Sequence, residues 1–315
     1  MAESDLAKLF GADGPVETFL GLPKGRPGDA AKGAILGVPG VTPYTSVGSY
    51  CAGGPAAIRA AIAAEAANIG HVDFDHGAPI FPDAVDVIDC GDLKVSDTDF
   101  AANRAAVCAA VEAMLGAGAL PIILGGDDSL PIPVLQAYAG RGPITILQID
   151  AHIDWRDEVQ GERWGLSSGM RRASEMEHVS GIVQVGARAI GSARQDDVDD
   201  ARAWGARLFP ARDIHRTGIG PALEALPEGA DIFICLDVDA LDPSIVPAAI
   251  GREPGGLAYW DVIELIDGAA TRGRLVGFEV AEFMPQRDMD DIGALNVARI
   301  VANVVRIAAR MGDAA

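Results

Sequence analysis

Aspartate and histidine side chains at two points of this chain have the types and spacing of metal ligands. Asp150, His152 and Asp154 alternate in one run, and Asp237 and Asp239 alternate in another. In an extended backbone, alternate side chains lie on the same side, so each run can direct its donors toward one point. Carboxylates with a single imidazole suit Mn²⁺ or a similar divalent ion, whereas metals that prefer thiolates would need cysteine nearby. The pattern therefore predicts a divalent metal site.

A third acidic segment strengthens this interpretation. Residues Gly125–Ser129 include Asp127 and Asp128 and directly follow the apolar run Pro121–Leu124. One aspartate at a strand end often caps the next helix, so a single run could be purely structural. Several such runs together favour a metal site, because buried carboxylates repel one another unless a cation lies between them. The predicted ligands are Asp128, Asp150, His152, Asp154, Asp237 and Asp239.

The elements that must position these residues follow a regular alternation. The predicted strands are Ala34–Val38, Val85–Asp89, Pro121–Leu124, Ile144–Ile149, Ile182–Val185, Arg207–Phe209, Ile232–Leu236 and Leu275–Val280. The predicted helices are Gly54–Ala66, Asp99–Leu115, Leu130–Ala139, Gln195–Trp204, Ala258–Ala270 and Ile292–Met311. Strand then helix, repeated, predicts an α/β fold with a mostly parallel sheet that is covered by helices on both faces. Such sheets bind ligands beyond the carboxyl ends of their strands.

Length and charge limit the possible organisation and partners. The 315 residues, 49% of them hydrophobic and 5% aromatic, predict one domain over residues 31–315 with a largely aliphatic core, preceded by an N-terminal arm over residues 1–30. A formal net charge of −20 argues against a nucleic-acid partner and is compatible with a cationic or neutral substrate.

Cysteine usage and hydropathy predict a reduced, cytoplasmic protein without a membrane span. The four cysteines have no C-x-x-C spacing, and the first residues lack a basic-then-apolar signal pattern. The longest apolar stretch, Ala105–Leu124, is interrupted by Gly116, Gly118 and Pro121. It is therefore interpreted as a helix, a turn and a strand.

The chain resembles the ureohydrolase family, which comprises arginases, agmatinases and guanidino-acid hydrolases, and it is most similar to the agmatinase branch. The resemblance rests on an ordered series of short segments through nearly the whole chain. These are Thr18–Pro23, Gly53–Arg59, Asp89–Asp92, Gly125–Asp127, Asp150–Asp154, Gly186–Arg188, Asp237–Pro243, Glu253–Leu257 and Glu279–Glu282.

This resemblance implies a three-layer α/β/α fold with a mostly parallel, eight-stranded sheet. It implies two divalent metal ions, Mn²⁺ or alternatively Ni²⁺, and a homo-oligomer of three or six chains. The implied reaction is hydrolysis of a guanidino C–N bond to urea and an amine, with agmatine, a guanidino acid or a small guanidine as substrate.

The resemblance also implies roles for the individual ligands. Asp150 and Asp237 would bridge the two ions, and His152 and Asp239 would complete the shell of one of them. Asp154 would bind the other ion and act in catalysis by orienting the hydroxide nucleophile.

Substrate contacts are expected from Glu282 and from the segment 155–172, which follows the metal run. Glu282 lies where the family holds a carboxylate against the guanidinium group, and a carboxylate suits the forked donors of that cation. In the segment, Arg163 could pair with a carboxylate of a guanidino acid, and Trp155 or Trp164 could stack on a flat cation. The alternative is that the arginines bridge neighbouring subunits or form salt bridges with nearby acids, namely Asp157, Glu158, Glu162 and Glu175.

Two positions depart from the family pattern. Asp128 stands where the family has a metal-binding histidine, and Gly165–Ser168 contains no histidine where the family has a proton shuttle. The shuttle could be replaced by water through Ser167 or Ser168, or by Glu158 or Glu162.

The first departure changes the charge of the predicted site. With Asp128 as a ligand, five carboxylates carry −5 and two divalent ions +4, so the shell keeps a charge of −1. A more negative shell makes a bound water less acidic. Two alternatives therefore remain open: the same scaffold could act on another amidine C–N bond, or the chain could be a catalytically weak partner subunit of an active relative.

Overall fold

A single sheet forms the centre of the computed structural model, which describes residues 16–82 and 84–312. Its strands are β1 (Gly33–Gly37), β2 (Val87–Asp92), β3 (Leu120–Leu124), β4 (Ile144–Ile149), β5 (Val179–Val185), β6 (Arg207–Phe209), β7 (Asp231–Asp237) and β8 (Arg274–Ala281). The eight strands lie in the order β2-β1-β3-β8-β7-β4-β5-β6, and every neighbouring pair is parallel. The predicted parallel α/β sheet is confirmed.

The strands form where the sequence has short apolar runs because both faces of the sheet are covered. All six residues of β4 are buried, and so are all five residues of β3. β2 continues to Asp92, beyond the predicted end at Asp89, because its pairing with β1 extends to the partners Gly37 and Asp92.

Helices connect the strands. They are α1 (Gly54–Ala61), α2 (Phe100–Gly116), α3 (Pro131–Gln136), α4 (Gly169–Ala173), α5 (Gln195–Trp204), α6 (Ala211–Thr217), α7 (Gly220–Glu224), α8 (Tyr259–Arg272) and α9 (Ile292–Ala309). The prediction of one helix over Gly54–Ala66 was too long, since the α-helix ends at Ala61 and a 3₁₀ helix follows over Ala63–Asn68. The short helices α4, α6 and α7 were not predicted, because five to seven residues are too few for an apolar periodicity to appear.

Two hydrophobic cores lie on opposite faces of the sheet. The first joins α1, α6, α7, α8 and α9 to strand residues such as Ile149 and Leu236. The second joins α2, α3, α4 and α5 to residues of the other face, such as Ile146 and Cys235. The three-layer α/β/α architecture is thereby confirmed.

The described part of the predicted N-terminal arm packs against the first core. Phe19, Leu20 and Leu22 are buried there, and the Phe19 N–H donates to Asp89 Oδ2 over 2.8 Å. The same carboxylate receives two bonds from the guanidinium of Arg59, of 2.8 and 2.9 Å. Residues 1–15 of the arm lie outside the described residues.

The longest apolar sequence stretch folds as predicted. Residues 105–124 contain the end of α2, a turn at Ala117–Gly118 and β3. Elsewhere, α9 is long and apolar enough to cross a membrane, but 67% of it is buried inside the protein. This burial is typical of a core helix.

A close approach in β8 predicts a large difference between two glycines. A Cβ at Gly277 would lie 2.3 Å from Tyr138 Oη and 2.5 Å from the Phe233 ring, whereas a Cβ at Gly116 would have no atom within 4 Å. We expect Gly277→Ala to lower the free energy of unfolding by about 1–3 kcal/mol through overpacking. Gly116→Ala, the control at an open helix position, should leave it unchanged or raise it by up to about 1 kcal/mol, because alanine has the higher helix propensity. Urea unfolding measures both, and equal stabilities would contradict the expected overpacking.

Candidate metal centre

The sheet order brings the predicted site residues to one edge. β3, β8, β7 and β4 are consecutive neighbours at the centre of the sheet. Asp150 directly follows β4, Asp237 ends β7, Glu282 directly follows β8, and Asp128 follows β3 after a short loop. Since all four strands run in the same direction, their carboxyl ends meet, and side chains far apart in sequence become neighbours.

Two glycines allow the β3 loop to enter this edge. A Cβ at Gly125 would lie 2.6 Å from the carbonyl oxygen of Val280, and one at Gly126 would lie 2.4 Å from that of Pro39. The Gly126 carbonyl also accepts the N–H of Glu282 over 2.8 Å. Only glycine permits these approaches, so Gly125-Gly126 positions both Asp128 and Glu282.

All six predicted ligands come together in two overlapping groups. In the first group, the ligand atoms of Asp150, His152, Asp237 and Asp239 all lie within 4.8 Å of one another. In the second group, those of Asp128, Asp150 and Asp154 lie within the same distance. Asp150 belongs to both groups. The arrangement can hold two cations that share one carboxylate, and the role of each residue as a ligand stays a prediction.

The route by which the donors converge differs from the expected one. An extended backbone was predicted for both alternating runs, but Val238–Ala240 forms a 3₁₀ turn in which the Asp239 N–H donates to Asp237 Oδ1 over 2.7 Å. The run after β4 is bent as well, and Asp154 has a φ of 46°. This left-handed conformation is unfavourable for a side chain with a Cβ and often occurs at functional sites. Tight turns therefore bring the side chains together.

His152 lies between two carboxylates. Its Nδ1 is 3.1 Å from Asp239 Oδ2 and 3.4 Å from Asp150 Oδ1. Burial disfavours the charged imidazole, but its hydrogen bonds to Asp150 and Asp239 outweigh that effect and raise the pKa of His152 to about 12. The protonated imidazole is therefore a positive charge that lies between these two acids.

Asp128 and Asp237 form no ion pair with a basic side chain in the part of the chain that the structure describes. Burial, followed by the neighbouring Asp154 and Asp150 carboxylates, raises the pKa of Asp128 well above its usual value. Burial and the neighbouring Asp239 carboxylate also raise the pKa of Asp237 well above its usual value. The cluster therefore resists full ionisation and would be stabilised by cations, which is how a metal-binding set of acids behaves.

Glu282 is buried beside this cluster. Its Oε1 accepts the Asp128 N–H over 3.0 Å and also accepts the Tyr50 hydroxyl. Burial raises the pKa of Glu282 to about 8, although these two hydrogen bonds oppose the shift. Its backbone is strained, with a φ of 67°. Tyr50 was missed by the sequence analysis, because nothing in its local pattern connects it with a residue more than two hundred positions away.

Three further polar side chains lie inside strands below the acids and were also missed. Gln148 in β4, Gln184 in β5 and Glu279 in β8 are each at most 2% exposed. The sequence could have pointed to all three, since each is a polar residue within an apolar run that is typical of a buried strand. Buried polar groups of this kind need partners or a function.

Glu279 is unusual among them. Neither of its carboxylate oxygens has a hydrogen-bond partner among the described residues. Burial raises the pKa of Glu279 to about 8, although the nearby Cys235 thiol opposes the shift, and Asp150 adds to it. A neutral carboxylic acid is therefore its favoured form below that pH.

The residues predicted to contact substrate from the following segment have other contacts. Trp155 is only 2% exposed and packs against Trp204 with ring centroids 6.1 Å apart. This burial argues against the predicted stacking role of Trp155. Trp164 is half-buried and has the Arg104 guanidinium 5.4 Å from its ring centroid.

The arginines of this segment form ion pairs, as in the alternative interpretation. Arg163 is exposed and lies 3.0 Å from Asp157. Arg172 pairs with Asp157 and Glu175 over 2.7 and 3.0 Å. Arg171 is 3.0 Å from Asp200. None of these contacts involves the acid cluster.

The candidates for the missing proton shuttle lie in different environments. Glu158 is exposed, and Glu162 accepts the Trp164 N–H over 2.7 Å. The Ser168 hydroxyl is buried and has no partner among the described residues. The Ser167 N–H donates to the hydroxyl of Tyr44 over 3.2 Å.

Comparison with known proteins gives the family of the chain. A sequence model of the Arginase family matches residues 31–306. A mitochondrial arginase from Medicago truncatula is 35% identical over 187 residues, which are 58% of this chain and 53% of that enzyme. The chain thus spans about half the length of this relative.

Two other relatives align over most of their length. A guanidinobutyrase from Pseudomonas aeruginosa is 30% identical over 266 residues, covering 82% of this chain and 81% of that enzyme. The solved structure of a proclavaminate amidinohydrolase from Streptomyces clavuligerus superimposes with a TM-score of 0.82 at 26% identity, over 96% of this chain and 99% of that one.

The buried Glu279 predicts a specific pH dependence of stability. Its pKa of about 8 lies above the ordinary value of 4.5, so the folded state binds more protons than the unfolded state between these values. Its contribution to the free energy of unfolding is complete below pH 4.5 and is lost as the pH rises through about 8. We expect Glu279→Gln to flatten the fall in stability of the chelator-treated protein between pH 6 and 8.

Urea unfolding at several pH values measures this effect. The slope to be removed is at most about 1.4 kcal/mol per pH unit for one proton. Glu228→Gln, a change at an exposed position, is the matched control and should leave the slope unchanged. An unaltered slope in Glu279→Gln would show that Glu279 does not bind the extra proton.

Proposed function

This chain belongs to the arginase family, and from that membership we propose that it is a metal-dependent amidinohydrolase. The proposed reaction hydrolyses a guanidino C–N bond to urea and an amine. The hydrolase relatives with names that refer to guanidino or amidino compounds support this reaction class. The substrate is proposed as agmatine, a guanidino acid or a small guanidine.

One observation of the structure carries the proposal. The two donor groups that share Asp150 lie at the same sheet edge as Glu282, and the Glu282 carboxylate is tied to the backbone N–H of Asp128. A candidate cation site and a separate buried carboxylate are thus adjacent. This is the combination that hydrolysis of a cationic planar group requires.

The donor set fits two divalent ions. Asp150, His152, Asp237 and Asp239 would hold one, and Asp128, Asp150 and Asp154 the other. Oxygen donors with one imidazole favour Mn²⁺, with Ni²⁺ as the alternative. When bound, the ions supply Lewis acidity and a water nucleophile near neutral pH.

The chain's own residues perform the remaining tasks. Glu282 accepts N–H donors of the guanidinium and orients its carbon toward the acids. Asp154 accepts a hydrogen bond from the attacking water. The water oxygen bonds to the guanidinium carbon, the bond from that carbon to the substituted nitrogen breaks, and the amine leaves with the transferred protons as an ammonium ion. Urea is the second product, so atoms and charge balance.

The oligomeric state and the location of the protein are two further proposals. The family membership supports a homo-oligomer of three or six chains, and the absence of C-x-x-C spacing supports a reducing, cytoplasmic location. Light scattering of the purified protein and fractionation of the source cells test these two points.

Urea release tests the proposed reaction. We expect the protein reconstituted with Mn²⁺ to release urea from at least one of agmatine, guanidinobutyrate, guanidinopropionate, guanidine or arginine, with Ni²⁺ compared in parallel. Glu282→Gln should lower kcat/KM by about 100-fold or more, because it removes a carboxylate whose charged form the guanidinium of the substrate would favour. Elemental analysis should find about two ions per chain, which measures metal binding separately.

The other outcomes discriminate between the alternatives. Ammonia without urea would indicate another C–N bond as the target. If the folded, metal-loaded protein released neither urea nor ammonia from any of the five compounds, the result would favour the interpretation that the chain is a catalytically weak partner subunit. Less than about one ion per chain after reconstitution would contradict the metal proposal itself.

Asp128 is expected to set the pH dependence of activity. Asp128→His removes one negative charge from the donor set, so a bound water should become more acidic. We expect the rising limb of the kcat/KM profile to move to lower pH, and activity at pH 7 to increase. Metal content is measured in the same samples, and a profile that does not move at unchanged metal content would contradict this role of Asp128.

A further inference from the structure

Gln148 occupies a position where a polar side chain needs an explanation. It lies inside β4, whose other residues include Ile144, Ile146, Leu147 and Ile149, and it is 2% exposed. An unpaired amide at such a site costs free energy, so its hydrogen bonds define what it does.

Both bonds that its nitrogen donates go to the acid cluster. Gln148 Nε2 lies 2.6 Å from Asp150 Oδ2 and 2.7 Å from Asp154 Oδ2. The amide therefore ties together the carboxylate shared by both donor groups and a carboxylate that belongs only to the second group. No other described side-chain amide contacts either acid.

The direction of this amide is determined by a second glutamine. Gln184 is the cross-strand partner of Gln148 in the pairing of β4 with β5. Its Nε2 donates to the backbone carbonyl of Ile153 over 2.8 Å and also to Gln148 Oε1. Because a carbonyl only accepts, the nitrogen of Gln184 must face Ile153 and Gln148 Oε1. The NH₂ of Gln148 is then left to face the two acids.

We infer that Gln148, oriented by Gln184, is a positioning residue that fixes the Asp150 and Asp154 carboxylates and thereby sets the affinity of the site for divalent cations. The inference rests on the proposed metal-binding function. Each carboxylate has one oxygen held by the amide, so its rotation is restricted and its other oxygen keeps a defined direction. The donated hydrogen bonds also stabilise two neighbouring negative charges that repel each other.

The loss of such a supporting contact weakens metal affinity by a known order of magnitude. Removing a group that orients a metal ligand typically weakens metal affinity by about 10–100-fold. Methionine has nearly the shape of glutamine and no N–H donor, so Gln148→Met removes the two bonds with little change in volume. Gln184→Met leaves the donors of Gln148 in place but removes the group that orients them.

The test is Mn²⁺ binding to chelator-treated full-length protein, followed by the electron paramagnetic resonance signal of free Mn²⁺. We expect Gln148→Met to weaken at least one Mn²⁺ binding step by about 10–100-fold, and Gln184→Met to weaken it less. The double variant should bind no more weakly than Gln148→Met, because Gln184 acts through Gln148. A packing role would instead give additive losses.

Two further variants complete the experiment. Thr145→Val changes a buried polar residue of the same strand to an apolar one without touching the cluster, and it should bind Mn²⁺ as the wild type does. Gln148→Asn keeps an amide but withdraws it from the acids by one methylene, so it should weaken binding as Gln148→Met does. It replaces Gln148→Met if the methionine variant does not fold, as judged by circular dichroism.

The outcomes separate this inference from the function on which it rests. Wild-type affinity in both Gln148 variants, or additive effects in the double variant, would overturn the positioning role alone. A wild-type protein that binds no Mn²⁺ or Ni²⁺ would overturn the proposed function together with the inference.

Discussion

Mutual repulsion among buried carboxylates is the constraint around which this edge of the sheet is organised. Asp128, Asp150, Asp154, Asp237 and Asp239 are each at most 8% exposed, where an unpaired charge is costly. Local donors offset part of this cost. They include the imidazole between two of the acids, several backbone N–H groups and a glutamine amide from the strand below. Of these donors only the imidazolium carries a positive charge, against five carboxylates, and a cation would supply what is missing.

The order of the strands determines which groups face this cluster. β8 lies between β3 and β7, so Glu282, which is close to the C-terminus in sequence, lies next to the loop that carries Asp128. The Gly125-Gly126 pair lets that loop approach the backbone of β8. The position of Glu282, the proposed substrate-binding carboxylate, and the position of Asp128, a proposed metal ligand, thus depend on the same close contact between the β3 loop and β8.

Much of the fold could be predicted because its signals are local. The bounds of β4, Ile144–Ile149, follow from an apolar run between Pro143 and Asp150, and α5 was predicted over its full length, Gln195–Trp204. The backbone conformations of the segments that follow the strands could not be predicted in this way. The 3₁₀ turn at Val238–Ala240 and the left-handed backbone of Asp154 depend on contacts with other strand ends, which local periodicity does not describe.

The sequence by itself determined the donor types, their order along the chain and their places at strand ends, because these are properties of a few adjacent residues. Only the tertiary structure decided that Trp155 is buried against Trp204 and that Gln148 donates to Asp150 and Asp154. The physical reason is that parallel neighbours are joined through long crossovers. Which side chains meet at the sheet edge is therefore set by packing of the whole chain.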